Sequence, residues 1–134
     1  MEPTLYILMR SDIQDMNPGK AMAQAAHAQA DFDACIEDIC GPDYTQDDPL
    51  WRNISAWKED RSFGRTIVLE ATEERIRSVT DTCAHGGYTV DPTYPWRNYY
   101  NEVFVSEELT CGWVFISDDN IEDRALIEDL KLHR

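Results

Sequence analysis

Leu5-Tyr6-Ile7-Leu8-Met9 is a continuous apolar run near the start of the chain. A strand with one solvated face alternates apolar and polar residues, so an unbroken run of this kind expects cover on both faces. At five residues it is also far too short to span a bilayer. A chain of 134 residues is one domain by length, large enough to bury a single core but not two. The first constraint is therefore a sheet strand with helices packed against both of its sides.

The rest of the chain supplies those helices. After a polar loop, Ser11 to Met16, Asn17 is a good N-cap and Pro18 a good first helical residue. The pattern predicts a helix from there to about Ile39, stopped by Gly41-Pro42. Its inward stripe reads as Met22, Ala25, Ala26, Gln29, Phe32, Ile36 and Ile39, and its many alanines allow a close approach to the sheet. Pro49, Leu50, Trp51, Ile54 and Trp57 stand at helical spacing within Asp47 to Asp60 and predict a second, shorter helix.

Arg65 to Glu70 is a β-branched strand, and Thr72 caps a following helix with Glu73 and Glu74 in its first turn, ended by Gly86-Gly87. Tyr88 to Asp91 is a short third strand, Thr110 to Ile116 a fourth, and Asp119 to Leu130 a closing helix. Between the last two strands lies Pro92 to Leu109, a long segment rich in Tyr, Trp and Asn that reads as a loop. The order β-α-α-β-α-β-β-α describes a three-layer α/β/α domain with a small four-stranded mixed sheet. No Pro/Gly/Ser-rich linker or internal repeat divides residues 1–134, which read as a single domain.

The N-terminus has neither the basic segment nor the long apolar run of a secretory signal, which leads us to expect a soluble, cytoplasmic protein with no membrane partner. Cys35, Cys40, Cys83 and Cys111 form no C-x-x-C and pair with no histidines at zinc spacing, so reduced thiols in or near the core are expected. Charge is more demanding: 26 acidic residues against 12 basic ones give a net charge of -14. A field of that sign repels nucleic acid and membranes, so a nucleic-acid role must rest on a local basic site. Three lysines against nine arginines and fifteen aspartates fit a halophilic chain, whose acidic surface is screened in a high-salt cytoplasm. They fit equally a chain with a basic partner, or an acidic mimic of nucleic acid.

Within the first helix, "NPGKAMAQAAHAQA" carries Lys20, Gln24 and His27 at i, i+4 and i+7, with Asp31 completing the stripe. Such a stripe is either an ordinary polar face or a working surface. Lys20 favours the second, because a cation in the first helical turn opposes the macrodipole and is better explained by an anionic ligand. Gly19-Lys20 is not a Walker-type loop, since Gln14 and Ala21 stand where that motif needs Gly and Ser or Thr. Asp91 ends the predicted third strand, where α/β ligands gather, and is also a common turn former before Pro92. Thr110 opens the fourth strand and can be brought beside it. Ser11 and Asp12 with His27 lack the sharp-turn context of a serine hydrolase.

Taken together these pieces resemble the type 2 peptidyl-tRNA hydrolase family, whose "GK-x-x-A-Q-x-x-H-A" helix Gly19 to Ala28 matches at every named position. The resemblance extends through Trp57, the Gly64 to Leu69 segment, the Thr72-Glu73-Glu74 helix start and the closing Asp129-Leu130-Lys131-Leu132. It departs after Asp91, where Pro92-Thr93-Tyr94-Pro95 replaces the family's "D-A-G-x-T", and after the fourth strand, where Ser117-Asp118 replaces "G-P".

The resemblance implies hydrolysis of the ester joining a peptide to the 3′ ribose of tRNA, with no metal or other cofactor and a tendency to form homodimers. On that reading Lys20 meets the substrate's anionic end or the developing oxyanion. Asp91 orients or deprotonates the water, and Thr110 and Gln24 are its hydrogen-bond partners. His27 supports the site, and the family's nearby Thr is absent unless Thr93 replaces it in binding substrate. Arg97 and Tyr99, with Tyr100 and Trp96, suit stacking on a terminal base and gripping a phosphate, or equally packing on the domain itself or on a second subunit. The alternative is a non-catalytic module of similar fold that binds a basic protein through its acidic surface.

Overall fold

The apolar run becomes β1 (Thr4–Arg10), which lies inside the sheet and pairs in parallel with β2 (Thr66–Ala71). On its other side β1 pairs antiparallel with β4 (Val103–Ile116), and β4 pairs antiparallel with β3 (Gly86–Arg97), giving the mixed order β2-β1-β4-β3. The structure is a computed structural model that describes residues 2–40, 48–59 and 64–133, excepting the side chains of Ile39 and Cys40. The predicted helix stop at Gly41-Pro42 lies outside the described residues.

Alternation along β1 sends Leu5, Ile7 and Met9 to one face and Leu8 to the other, and all four are buried. On the first face α1 (Pro18–Cys40) and α2 (Pro49–Glu59) contribute Ala28, Phe32, Ile36, Ile54 and Trp57. Phe32 is the hub there, its ring centroid 5.0 Å from that of Trp113, 5.4 Å from Trp57 and 5.5 Å from Phe115. On the second face α3 (Glu73–Thr82) and a closing 3-10 helix (Asp118–Leu126) border a core of Leu8, Leu69, Ile76, Val79, Val114 and Ile127. This is the three-layer α/β arrangement expected from the element order. No helix among the described residues is long and apolar enough to cross a membrane.

Four local expectations need correction. The inward stripe of α1 holds at the buried Phe32 and Ile36 but is out of phase before them: Ala21, Gln24 and Ala28 are buried, whereas Met22 and Ala26 are exposed and Ala25 and Gln29 only half-buried, and the Ile39 side chain lies outside the described residues. Alanine is small enough to sit on either side, and the buried Gln24 displaced Met22 because the sheet offers it polar partners. Gly86-Gly87 does not end α3, which stops at Thr82; it opens β3, where a Cβ on Gly87 would meet the Trp113 indole. The closing segment is a 3-10 helix kinked at Asn120, whose buried amide donates to Phe115 O and Asp123 instead of following a regular α-helical turn.

The largest correction is the expected loop from Pro92 to Leu109. β3 runs on to Arg97 and β4 begins at Val103, so most of this segment is an antiparallel hairpin. Only Cys111 to Ile116 of β4 pair with β1, so the hairpin projects past the end of β1 as a two-stranded arm. Pro92 and Pro95 fit because β3 is an edge strand, and register shifts at Thr89/Val90 and Asp91/Tyr94 absorb the mismatch. At the tip the Asn98 side chain accepts the Tyr100 and Glu102 N–H groups, and Asn101 takes a left-handed φ of 65°.

Gly64 shows how tightly the α2 side is closed. Its φ is +81°, and a Cβ there would lie 2.3 Å from the Trp57 ring, whose Nε1 donates to Arg65 O at 2.6 Å. Gly64→Ala combines a strained φ with overpacking and is expected to cost about 2 kcal/mol or more of stability. Urea unfolding monitored by tryptophan fluorescence checks this; an unchanged midpoint would refute it.

Candidate functional site

Asn17 caps α1 as expected, its side-chain oxygen accepting Lys20 N at 2.9 Å. One turn beyond Lys20, Gln24 points into the gap between helix and sheet and is only 4% exposed. The Thr110 hydroxyl, fully buried, donates to Gln24 Oε1 at 2.6 Å, and Gln24 Nε2 donates to Asp91 Oδ2 at 2.7 Å. The amide orientation follows from chemistry: an ionised carboxylate only accepts, so the NH2 group must face Asp91 and the carbonyl must face Thr110. The Cys111 thiol also donates to Gln24 O at 3.4 Å, tying the helix backbone to β4.

Asp91 sits within β3 at the register shift, not at a strand end, and Thr110 lies within β4 instead of opening it. The bulge turns Asp91 toward α1, and its second oxygen accepts Thr93 N at 2.8 Å. Burial alone would raise its pKa, but the Thr93 N–H, the Gln24 amide and the nearby His27 together outweigh it and hold Asp91 below the usual carboxylate range. Asp91 is thus an ionised acceptor at neutral pH and a weak base, suited to aligning a water.

His27 and Asp31, one and two turns further along α1, line a cavity of about 390 Å³ that Asp91, Thr89 and Thr93 close from β3. Asp31 Oδ2 accepts the Thr89 hydroxyl at 2.7 Å. Lys20 stands at the opposite end of the stripe, where its Nζ donates to Pro95 O at 2.7 Å, lies 3.8 Å from Asp15 Oδ2 and sits 5.3 Å from the Tyr94 ring centroid. The helical face carrying Lys20, Gln24, His27 and Asp31 therefore looks onto β3, with Gln24 reaching through to Thr110 on β4.

The Tyr99 side chain is not drawn into this cluster, and Arg97 reaches it only by its backbone N–H, which donates to Asp15 beside Lys20. Arg97 is six residues beyond Asp91, about 20 Å along an extended strand, and its guanidinium donates to Asn101 O within the hairpin tip. Tyr99 is 96% exposed and meets Tyr100 edge-on. Trp96 stacks on Phe104 and donates to Ser106, inside the arm. Ser11 donates to Ala71 O, and Asp12 pairs with Arg10 and accepts Glu73 N at the start of α3, so neither forms a couple with His27.

Three contributors escaped the sequence reading. Asp15, at a left-handed φ of 63°, accepts Arg97 N at 2.6 Å and faces Lys20, joining the loop after β1 to the arm. Tyr94 is fully buried, donates to Gln14 O at 2.7 Å and walls Lys20; burial pushes its hydroxyl up to about 12. Thr89 fixes Asp31, and its spacing of two from Asp91, which places both on one face of a strand, was the available signal.

Burial pushes the Cys83 and Cys111 thiols up to about 11, so both are protonated and neither is an activated nucleophile. Cys35, Cys83 and Cys111 are free, while Cys40 lies outside the described side chains. No group of three or more His, Cys, Asp and Glu among the described residues is placed to hold a metal ion. No family model matches the chain, and no curated protein matches it.

Because its folded pKa is depressed, Asp91 contributes stability that is present above its unfolded pKa of about 3.9 and is lost as pH falls through the folded value. Asp91→Asn should therefore flatten the acid limb of the stability profile. In Gln24→Ala the Asp91 carboxyl, titrated by carbon-13 NMR, should ionise at a higher pH than in the parent; an unchanged titration would show that the amide does not hold it.

Proposed function

We propose that the chain hydrolyses the ester bond between peptide and tRNA in peptidyl-tRNA, releasing free tRNA. The observation that carries this reading is the buried Thr110–Gln24–Asp91 chain of hydrogen bonds, which ends in an ionised carboxylate beside an open cavity. In this scheme Asp91 aligns the attacking water, with one carboxylate oxygen held by Gln24 and the other by Thr93. The Gln24 amide and the Thr93 N–H and hydroxyl are three donors, which leaves a carboxylate one further lone-pair site for that water.

Lys20 supplies the positive charge that a tetrahedral oxyanion or a terminal phosphate requires, exchanging the Pro95 carbonyl for the substrate. His27 borders the cavity and lowers the Asp91 pKa, a supporting role. Arg97 and Tyr99 serve in this scheme only at a distance, as contacts that the arm offers to the tRNA. Cytoplasmic action follows from the substrate, which arises in translation.

A second reading, the non-catalytic module with a basic protein partner, draws on one specific observation. The Lys20 ammonium already has the Pro95 carbonyl and the Asp15 carboxylate as neighbours, which makes it a structural cation of the arm. Cleavage of peptidyl-tRNA measured in both low and molar salt separates the two. Hydrolysis is expected, falling roughly 10²- to 10³-fold in kcat/KM in Lys20→Ala and Asp91→Ala, the scale of removing one preorganised transition-state group. Absence of turnover in both buffers would refute the enzyme reading.

A further inference from the structure

The cavity between α1 and β3 carries a charge pattern of its own. Its walls present the carboxylates of Asp31 and Asp91 against a single imidazole, His27, and no lysine or arginine lines it. Two carboxylates outnumber the one imidazole, which disfavours a phosphate here. The cation of the site, Lys20, is directed instead to Pro95. Charge thus differs along the helical face, with the cation Lys20 at one end and His27 and Asp31 at the other.

The two carboxylates are not equivalent. Both oxygens of Asp91 hold hydrogen bonds, to Gln24 and to Thr93. Asp31 accepts only the Thr89 hydroxyl, on Oδ2, and its Oδ1 has no hydrogen bond from a described residue. Thr89 is only 4% exposed, so the bond that holds the Asp31 carboxylate is anchored in the sheet. Asp31 is therefore a preset acceptor at the end of the cavity away from Lys20.

We propose that this cavity receives the side chain of the amino acid esterified to the tRNA and favours a basic one, Asp31 setting the preference. The assignment of the occupant rests on the ester-hydrolysis reading; the preference for a cation rests on the cavity alone. Because Asp31 is exposed to solvent, the gain is that of a solvated ion pair, about fivefold at low salt, and it fades as salt rises.

Two neutral-ended probes test it on the intact protein by NMR, N-acetylarginine amide and N-acetylnorleucine amide. The arginine compound is expected to shift the Thr89 and Thr93 amide resonances and to bind about fivefold more tightly at low salt. That advantage should vanish in Asp31→Asn and persist in Asp31→Glu, which keeps the charge and guards against a merely structural loss. Equal affinity for the two probes, or an advantage unchanged in Asp31→Asn, would overturn the proposal. In the kinetic arm, peptidyl-tRNAs ending in arginine and leucine are compared by kcat/KM. A probe preference without turnover supports the preference for a cation but refutes the enzyme reading and with it the occupant, whereas turnover with no preference in either arm refutes the cation preference and supports the enzyme reading.

Discussion

One buried amide sets the geometry on which the candidate site depends. Gln24 lies on the face of α1 that meets the sheet, and an amide enclosed there has to find partners for both its ends, since an unsatisfied one costs about 1–3 kcal/mol. Thr110 on β4 and Asp91 on β3 provide them, and the Cys111 thiol holds the backbone of the same residue. Three elements are thereby fixed to one side chain. Once the phase of the helix is set at Gln24, helical geometry alone places Lys20 one turn before it and His27 and Asp31 in the turns after it. The functional face is a consequence of satisfying a polar group in the core.

The same residue explains why the fold was easier to read than the packing. An unbroken apolar strand, an Asn-Pro helix start and β-branched strands separated by helical spacings dictate the order of elements, and the sheet with helices on both sides follows. The phase of α1 does not follow, because a helix built from alanine has no clear apolar stripe and its decisive inward residue is polar. Prolines obscured the arm for a related reason. They remove strand donors, which ends an interior strand but is tolerated at an edge, and nothing local to Pro92 or Pro95 says that β3 is an edge.

For the site, spacing was informative where the periodicity was simple. The set Lys20, Gln24, His27 and Asp31 could be read at intervals of three and four, whereas Asp91 and Thr110 were expected at strand ends and lie inside longer strands. The contacts made by Asp15, Tyr94 and Thr89 join segments far apart in the chain, and no local pattern reports them. Arg97 and Tyr99 show what composition leaves out. Their composition suits stacking and phosphate contact, but composition carries no distance, and the extension of β3 moves them to the tip of the arm.

The position of β1 has a consequence for how the chain reaches this structure. Its partner on one side, β4, lies on the order of a hundred residues later, so that Thr4 faces Ile116 and Met9 faces Cys111. During synthesis β1 and the helix carrying Lys20 and Gln24 must wait for about a hundred further residues to emerge before the middle of the sheet can close. Closing so long a loop adds to the entropic barrier and slows folding. Until then the apolar row of β1 is open on one side, and the amide of Gln24 has neither Thr110 nor Asp91 to bind. Assembly of the site is thus coupled to the pairing of β4, and a nascent chain halted before β4 contains the helix but not the site.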